Sequence, residues 1–166
     1  MLLLRAPAPD DREAIRDAYQ RSAALHGPWT SAPADYDAYV VQDGRYLLCR
    51  QEDGALVGTF HISGVVRGNF QSAYLGYEAF EPHQGCGYMT AGIRLLIKEA
   101  FDELNLHRLE ANIQPGNEAS IRLVARAGFV KEGFSRQYLR VNGQEWRDHE
   151  RWALLNDRWA PERAAP

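Results

Sequence analysis

A mixed α/β fold built on one central sheet is what this sequence predicts, and three features carry the prediction. Residues 45 to 79 alternate between stretches rich in branched and aromatic residues and short turn segments, the pattern of an antiparallel meander. From residue 72 to 128, a strand runs into a glycine-bearing loop, then a helix, a second strand and a second helix. Beyond these, Asn142-Gly143 separates two more strand-like stretches, a strong hairpin signal. Strands and helices interleaved in this order share one sheet flanked by helices.

Each element follows in order. Leu2-Leu3-Leu4-Arg5 reads as a first strand. Asp10 and Glu13, three residues apart, resemble a capping box with Asp in place of Ser or Thr. Ile15, Ala18, Tyr19 and Ser22 then recur at helical spacing, so a helix is expected over roughly 11–25. Gly27 to Pro33 holds two prolines and a tryptophan and reads as a loop, and Asp35 to Gln42 as a second short helix. Strands are expected from Arg45 to Gln51 and Ala55 to Val66, separated by the Glu52-Asp53-Gly54 turn, and from Ser72 to Ala79 after a turn at Asn69-Phe70-Gln71. A helix opens near Tyr88, with Ile93, Leu96, Ile97, Ala100, Phe101 and Leu104 as its apolar stripe. Leu109, Ala111 and Ile113 alternate with Arg108, Glu110 and Asn112 in a half-buried strand. Asn117 is a good N-cap for the next helix and Gly128 a good residue just past its end. Strands near 134–141 and 146–155 close the chain. The reading is one domain over residues 1–160, with a tail at 161–166 that frays.

Composition narrows the class. The chain has 166 residues, 45% hydrophobic and 25% charged, the values of an ordinary globular protein with room for a core. The net charge of −3 and the absence of a Lys/Arg cluster argue against direct nucleic-acid binding. No apolar run approaches the ~20 residues that span a bilayer. The two cysteines, Cys49 and Cys86, have neither metal-ligand nor disulfide-framework spacing. The expectation is a cytoplasmic protein with reduced thiols, no metal and no membrane partner. The sequence leaves the oligomeric state open, a homodimer included.

The segment that carries chemistry is Tyr77 to Met89. A strand runs through a loop containing Gly85 and Gly87 into a helix. Unpaired N–H groups at a helix N-terminus carry partial positive charge, and glycines allow a ligand to approach the backbone. Together they suit a pyrophosphate. A plain strand-to-helix turn that needs glycine for its dihedrals reads the same residues equally well. A dinucleotide-binding loop does not fit, because its third glycine is replaced by Thr90.

Gln84-Gly85-Cys86-Gly87-Tyr88-Met89 resembles the Gln/Arg-x-x-Gly-x-Gly/Ala acyl-CoA loop of the GCN5-related N-acetyltransferases, the GNAT superfamily. Met89 departs from the small residue usual there, though its backbone N–H is still available. Asn117-Glu118-Ala119-Ser120 followed by Ala127-Gly128-Phe129 resembles the second cofactor segment of that family. Val65-Val66-Arg67-Gly68-x-Phe70, Tyr74-Leu75-Gly76-Tyr77 and Trp146-Arg147-Asp148-His149 look like the RimJ/RimL-like, ribosomal-protein-alanine N-acetyltransferase type. The likeness covers about residues 57 to 159. Before that only Pro28-Trp29 stands out.

The resemblance implies the GNAT-type acyl-CoA N-acyltransferase fold, a twisted mixed sheet splayed between its fourth and fifth strands. It implies acetyl-CoA as cosubstrate. Its pantetheine arm would bond to backbone from Tyr77 to Ala79. Gln84, Gly85, Cys86, Gly87, Tyr88 and Met89 would form the phosphate loop. It implies a transfer of acetyl to a primary amine, above all the N-terminal α-amine of a protein of the ribosomal type, by direct attack in a ternary complex.

Many relatives place a tyrosine in the second helix to protonate the leaving thiolate. The matching position here is Val124. Ser120 is the candidate for that hydrogen bond, with Asn117 beside it. The alternative is that Asn117 caps the helix and Ser120 satisfies a nearby N–H. Glu78, beside the pantetheine path and on the face of Tyr74, is the candidate base, against an ordinary exposed strand carboxylate. Glu110, Asp148 and His149 are weaker candidates. Tyr74, Tyr77 and Trp152 line either the channel or the core. Cys86 as an acetylated nucleophile fits poorly, since it sits at the pyrophosphate and far from the thioester. Two other readings stay open: an acetyltransferase for a small amine, amino acid or antibiotic, and a non-catalytic acyl-CoA-binding module.

Overall fold

The computed structural model describes residues 1–161, so the tail expected at 161–166 lies, all but its first residue, outside the described residues. Seven strands form one sheet: β1 (Leu2–Arg5), β2 (Arg45–Arg50), β3 (Leu56–Val66), β4 (Ser72–Ala79), β5 (Arg108–Ile113), β6 (Val130–Val141) and β7 (Glu145–Leu155), in the spatial order β1-β2-β3-β4-β5-β7-β6. β4 and β5 are the parallel pair, and every other neighbour runs antiparallel. The parallel step requires a crossover, which α4 (Tyr88–Lys98) supplies, continued by one π-helical segment at Glu99–Glu103. The sheet and flanking helices match the mixed fold that the alternation and glycine-loop patterns predict.

Strand parity sends side chains to two cores. Phe60, Ala73, Leu75, Leu109 and Ala111 face α4 and α5 (Glu118–Arg126), together with Ile93, Leu96 and Val124. Leu47, Cys49 and Leu56 face the opposite side. There they meet Ile15, Ala18 and Tyr19 of α1 (Arg12–Arg21) and Tyr39 and Val40 of α3 (Tyr36–Val41). Gly92 lets α4 sit close to the sheet. A Cβ there would fall 2.5 Å from Leu48 Cδ2 and 2.9 Å from Phe60 Cε2.

Three local expectations are corrected. The Asp10–Glu13 capping box does not form. Asp11 takes the role instead, accepting the Ala8 N–H at 2.7 Å and both Arg5 nitrogens at 2.7 Å, while Glu13 pairs with Arg16. The helix expected over 11–25 breaks at Ser22 into α1 and α2 (Ala23–His26), because the buried Ser22 hydroxyl accepts the Glu81 N–H at 3.0 Å. β6 begins at Val130, four residues before the expected start. Val130 and Lys131 pair with Ala153 and Trp152, and a bulge at Lys131/Gly133 breaks the alternation that would have marked this stretch.

The caps of α5 follow the sequence. Asn117 Oδ1 accepts the Ser120 N–H at 3.2 Å. Past the other end, Gly128 and Phe129 donate to Ala125 and Val124, with Gly128 at φ +95°. Asn142 and Gly143 both take positive φ at the tip of the β6–β7 hairpin.

Candidate active site

β4 and β5 hydrogen-bond only over Ser72–Tyr74 and Arg108–Glu110. Beyond Tyr74 the strands part, and β4 runs on to Ala79 with no partner on that side. The wedge opens into a cleft of about 410 Å³. Its walls come from the end of β4, the loop after it, the first turns of α4 and α5, and the α2 segment with Trp29.

One end of the cleft is built for an anion. Gly85 and Gly87 adopt φ of +77° and +79°, and nothing stands within 4 Å of where a Cβ would project from either. Glycine is required for the backbone conformation there, not for space. The first intrahelical bond of α4 is Ala91 N–H to the Gly87 carbonyl. The N–H groups of Tyr88, Met89 and Thr90 therefore have no partner within the helix, and these three residues line the cleft. Gln84 lines it too.

Met89 fits where a small residue is usual because Gly58 on β3 leaves room. A Cβ on Gly58 would come within 2.4 Å of Met89 Sδ. Cys86, expected in the phosphate loop, is exposed and outside the lining. The left-handed turns at its two glycine neighbours direct it away. Arg122 and Arg126 add positive charge to the same cleft from α5. Sequence reading missed both. Their spacing of one helical turn was the available signal.

At the middle of the cleft, the Tyr77 hydroxyl lies 2.6 Å from Ser120 Oγ and 3.3 Å from the Ser120 carbonyl oxygen. Burial pushes the Tyr77 hydroxyl pKa up, and the Ser120 hydrogen bond offsets part of that, so the phenol stays protonated and able to donate. Val124 is fully buried in the core and takes no part in the cleft. The hydroxyl that stands beside Ser120 comes from β4, while α5 carries none at position 124. Sequence reading placed the Tyr77 backbone on the pantetheine path and its ring in the channel or the core, but did not bring its hydroxyl to Ser120, although its parity with Ala73 and Leu75 turns it toward α5. Asn117 is the helix cap, which accounts for its side-chain oxygen.

Glu78, one residue on, points to the opposite face of β4. Both lie on the same cleft because the sheet is open beside them. Glu78 is largely shielded rather than an ordinary exposed carboxylate. Burial raises its pKa, the Arg45 and His26 charges lower it in part, and Tyr19 donates to it at 3.3 Å. His26 Nε2 donates to the Ala79 carbonyl at 2.7 Å, so that oxygen is already engaged on the strand edge expected to meet a pantetheine arm. Trp29 reaches across the wedge. Its carbonyl accepts Gln114 Nε2 at 3.1 Å, and its ring lies against Gly116.

The remaining sequence candidates sit elsewhere. Glu110 is held by Arg108 at 2.7 Å. Asp148 accepts the Gln137 N–H at the β6 bulge. His149 is buried with Nδ1 2.9 Å from the Arg147 carbonyl. Tyr74 is exposed outside the cleft, and Trp152 packs on the core. Among the described residues, no cluster of three or more metal-ligating side chains occurs.

A family model described as an acetyltransferase (GNAT) domain matches residues 1–130. A probable N-acetyltransferase of Bacillus subtilis is 43% identical over 124 residues, covering 74% of this chain and 68% of that protein. The ribosomal protein uS5-alanine N-acetyltransferase of Escherichia coli is 39% identical over 112 residues, 68% of this chain and 57% of that one. Among solved structures, the ribosomal-protein-S5-alanine acetyltransferase of Vibrio fischeri superposes with a TM-score of 0.86 at 26% identity, covering 96% of each chain. RimJ of Mycobacterium smegmatis, in complex with CoA-disulfide, gives 0.82 at 26% identity, covering 94% of this chain and 82% of that one.

Proposed function

The chain belongs to the GNAT acetyltransferase family, and on that premise we propose that it moves acetyl from acetyl-CoA to the N-terminal α-amine of a protein, by direct attack in a ternary complex. The observation that carries this reading is the open wedge beside β4. It has an anion cradle at one end and two proton-handling groups, Tyr77–Ser120 and Glu78, on its two faces. The catalytic unit is residues 1–160, acting in the cytoplasm.

The steps follow from the placement. The unpaired N–H groups at the start of α4, with Gly85 and Gly87 and the charge of Arg122 and Arg126, hold the CoA phosphates. The free edge of β4 past Tyr74 guides the pantetheine arm into the wedge. The amine approaches from the Glu78 face. A terminal α-amine has a pKa of ~8, so Glu78 need only take its proton as the nitrogen attacks the thioester carbonyl. When the C–S bond breaks, the hydroxyl pair Tyr77–Ser120 gives a proton to the departing thiolate. The uS5-alanine acetyltransferase relative supports a protein N-terminus as the acceptor.

Thiol release from acetyl-CoA tests the reading. Peptides starting with Ala or Ser should release thiol, and blocking their N-terminus should abolish it. Release with small amines alone would retain the transfer chemistry and discard the protein acceptor. Tight acetyl-CoA binding with no release from any acceptor would favour a binding module.

A further inference from the structure

A row of hydroxyls runs under α1 and α3 and ends at the cleft. Thr59 on β3 stands opposite Glu78 in the β3–β4 register. It is fully buried, and its Oγ1 donates to the Tyr46 carbonyl at 3.0 Å. With that proton committed, Thr59 Oγ1 can only accept from the Tyr39 hydroxyl 2.8 Å away. Tyr39 has therefore spent its own proton. Tyr19 is as buried as Tyr39, with the two ring centroids 6.1 Å apart. Its hydroxyl donates to Glu78 Oε2 at 3.3 Å.

That bond is the only one the Glu78 side chain makes among the described residues. The other titratable groups around it are engaged or neutral. His26 of α2 spends Nε2 on the Ala79 carbonyl. Arg45 of β2 donates to Gln42 and lies over the Tyr39 ring at 4.3 Å. His61 of β3 is uncharged near neutral pH, since burial and the Arg45 charge push its pKa down to about 4. Glu78 Oε1 has no partner, and it is not among the unpaired polar atoms that are closed to solvent. Glu78 also lines the cleft. One carboxylate oxygen is held from behind and the other is open.

Resting on the transfer reading above, we propose that Tyr19 is a positioning residue: its hydroxyl holds Glu78 Oε2 and so presents the free Oε1 to the acceptor amine. A hydrogen bond from a neutral phenol favours the ionised carboxylate, the form that can take a proton. The phenol stays a donor, because burial and the Glu78 charge push its own pKa up. Tyr39 cannot replace it, its proton being committed to Thr59. Packing does not require the hydroxyl. The Tyr19 ring meets Phe80 edge-on at 5.0 Å and His26 at 5.6 Å, contacts that phenylalanine would keep.

The test uses the full chain with its glutamates labelled at the carboxyl carbon and titrated by NMR with no acceptor present. The resonance lost in Glu78→Gln is that of Glu78. Tyr19→Phe should raise the Glu78 pKa by about one unit. With an Ala-starting tripeptide, the acid limb of kcat should move to higher pH by the same amount, while the acetyl-CoA Kd stays unchanged. The ionisation of the amine is common to both proteins and drops out of the difference. Tyr39→Phe removes a hydroxyl from the same layer but none from Glu78, and should leave the Glu78 pKa and the limb in place. In a Glu78→Gln background, Tyr19→Phe should cost no further turnover. An unmoved Glu78 pKa in Tyr19→Phe, an equal shift in Tyr39→Phe, or a further loss in the Glu78→Gln background would overturn the positioning role. A shifted Glu78 pKa together with full turnover in Glu78→Gln would instead overturn Glu78 as the base, leaving the Tyr19 bond a structural one.

Discussion

At the scale of single residues, the proposed transfer divides its chemistry between two neighbours on β4, because consecutive strand side chains point to opposite faces. Tyr77→Phe removes the only hydroxyl proton within reach of Ser120 Oγ from that strand. It should cut turnover by about tenfold to a hundredfold with the acetyl-CoA Kd nearly unchanged, read by single-turnover kinetics beside calorimetry. Ser120→Ala should act in the same direction and add little to Tyr77→Phe, since the two hydroxyls work as one unit. Glu78 gives a pH signature. Burial raises its pKa, so the folded protein holds this proton more tightly than the unfolded chain. The stability linked to that proton is complete in acid, below the ordinary carboxylate range, and is lost as pH rises through the raised folded value. Glu78→Gln removes that loss. The variant should melt no lower than the wild type at neutral pH while turnover falls about 10²-fold, and the acid limb of kcat/KM for the acceptor should vanish. A lowered melting point with unchanged turnover would make Glu78 a structural group. Strand parity made Glu78 legible in the sequence. Its shielding was not, because Tyr19 and His26 come from a helix pair some fifty residues away.

At the scale of elements, α4 is set by two glycines that serve packing rather than conformation. Exposed helix positions gain stability when Gly becomes Ala, by roughly 0.5–1 kcal/mol. Gly92→Ala should do the reverse, losing about 1–3 kcal/mol in urea melts, because Leu48 and Phe60 occupy the space. Gly58 on β3 holds the N-terminus of the same helix through Met89. Gly58→Ala should weaken CoA binding by moving that helix end, and adding Met89→Ala should restore part of the affinity, the rest staying lost to the Glu78 carbonyl 2.9 Å from the new Cβ. Independent losses from the two changes would break this link. The helix itself was legible from its apolar stripe, and α5 from Asn117 and Gly128. The break at Ser22 was not, since its cause is the distant Glu81 N–H. The early start of β6 was hidden by its bulge, which disturbs the alternation that strand reading depends on.

At the scale of the whole molecule, the proposed transfer rests on one unmade set of hydrogen bonds, the β4–β5 ladder beyond Tyr74. A ligand that bridges this gap should stabilise the entire sheet. At about 100 times its Kd, CoA should raise the melting temperature by roughly 5–10 °C. Gly87→Ala, strained at φ +79°, should abolish most of that rise. A rise retained in that variant would place the phosphates elsewhere. The sequence by itself determined the elements, their order and the anion loop, because hydrophobic period, caps and glycine turns are local properties. It also carried the family. Only the tertiary structure decided what crosses the open sheet. It brought the Tyr77 hydroxyl to Ser120, buried Val124 in the core, turned Cys86 out and shielded Glu78. Those outcomes depend on which strands pair and where pairing stops, and these depend on contacts between residues far apart in the chain.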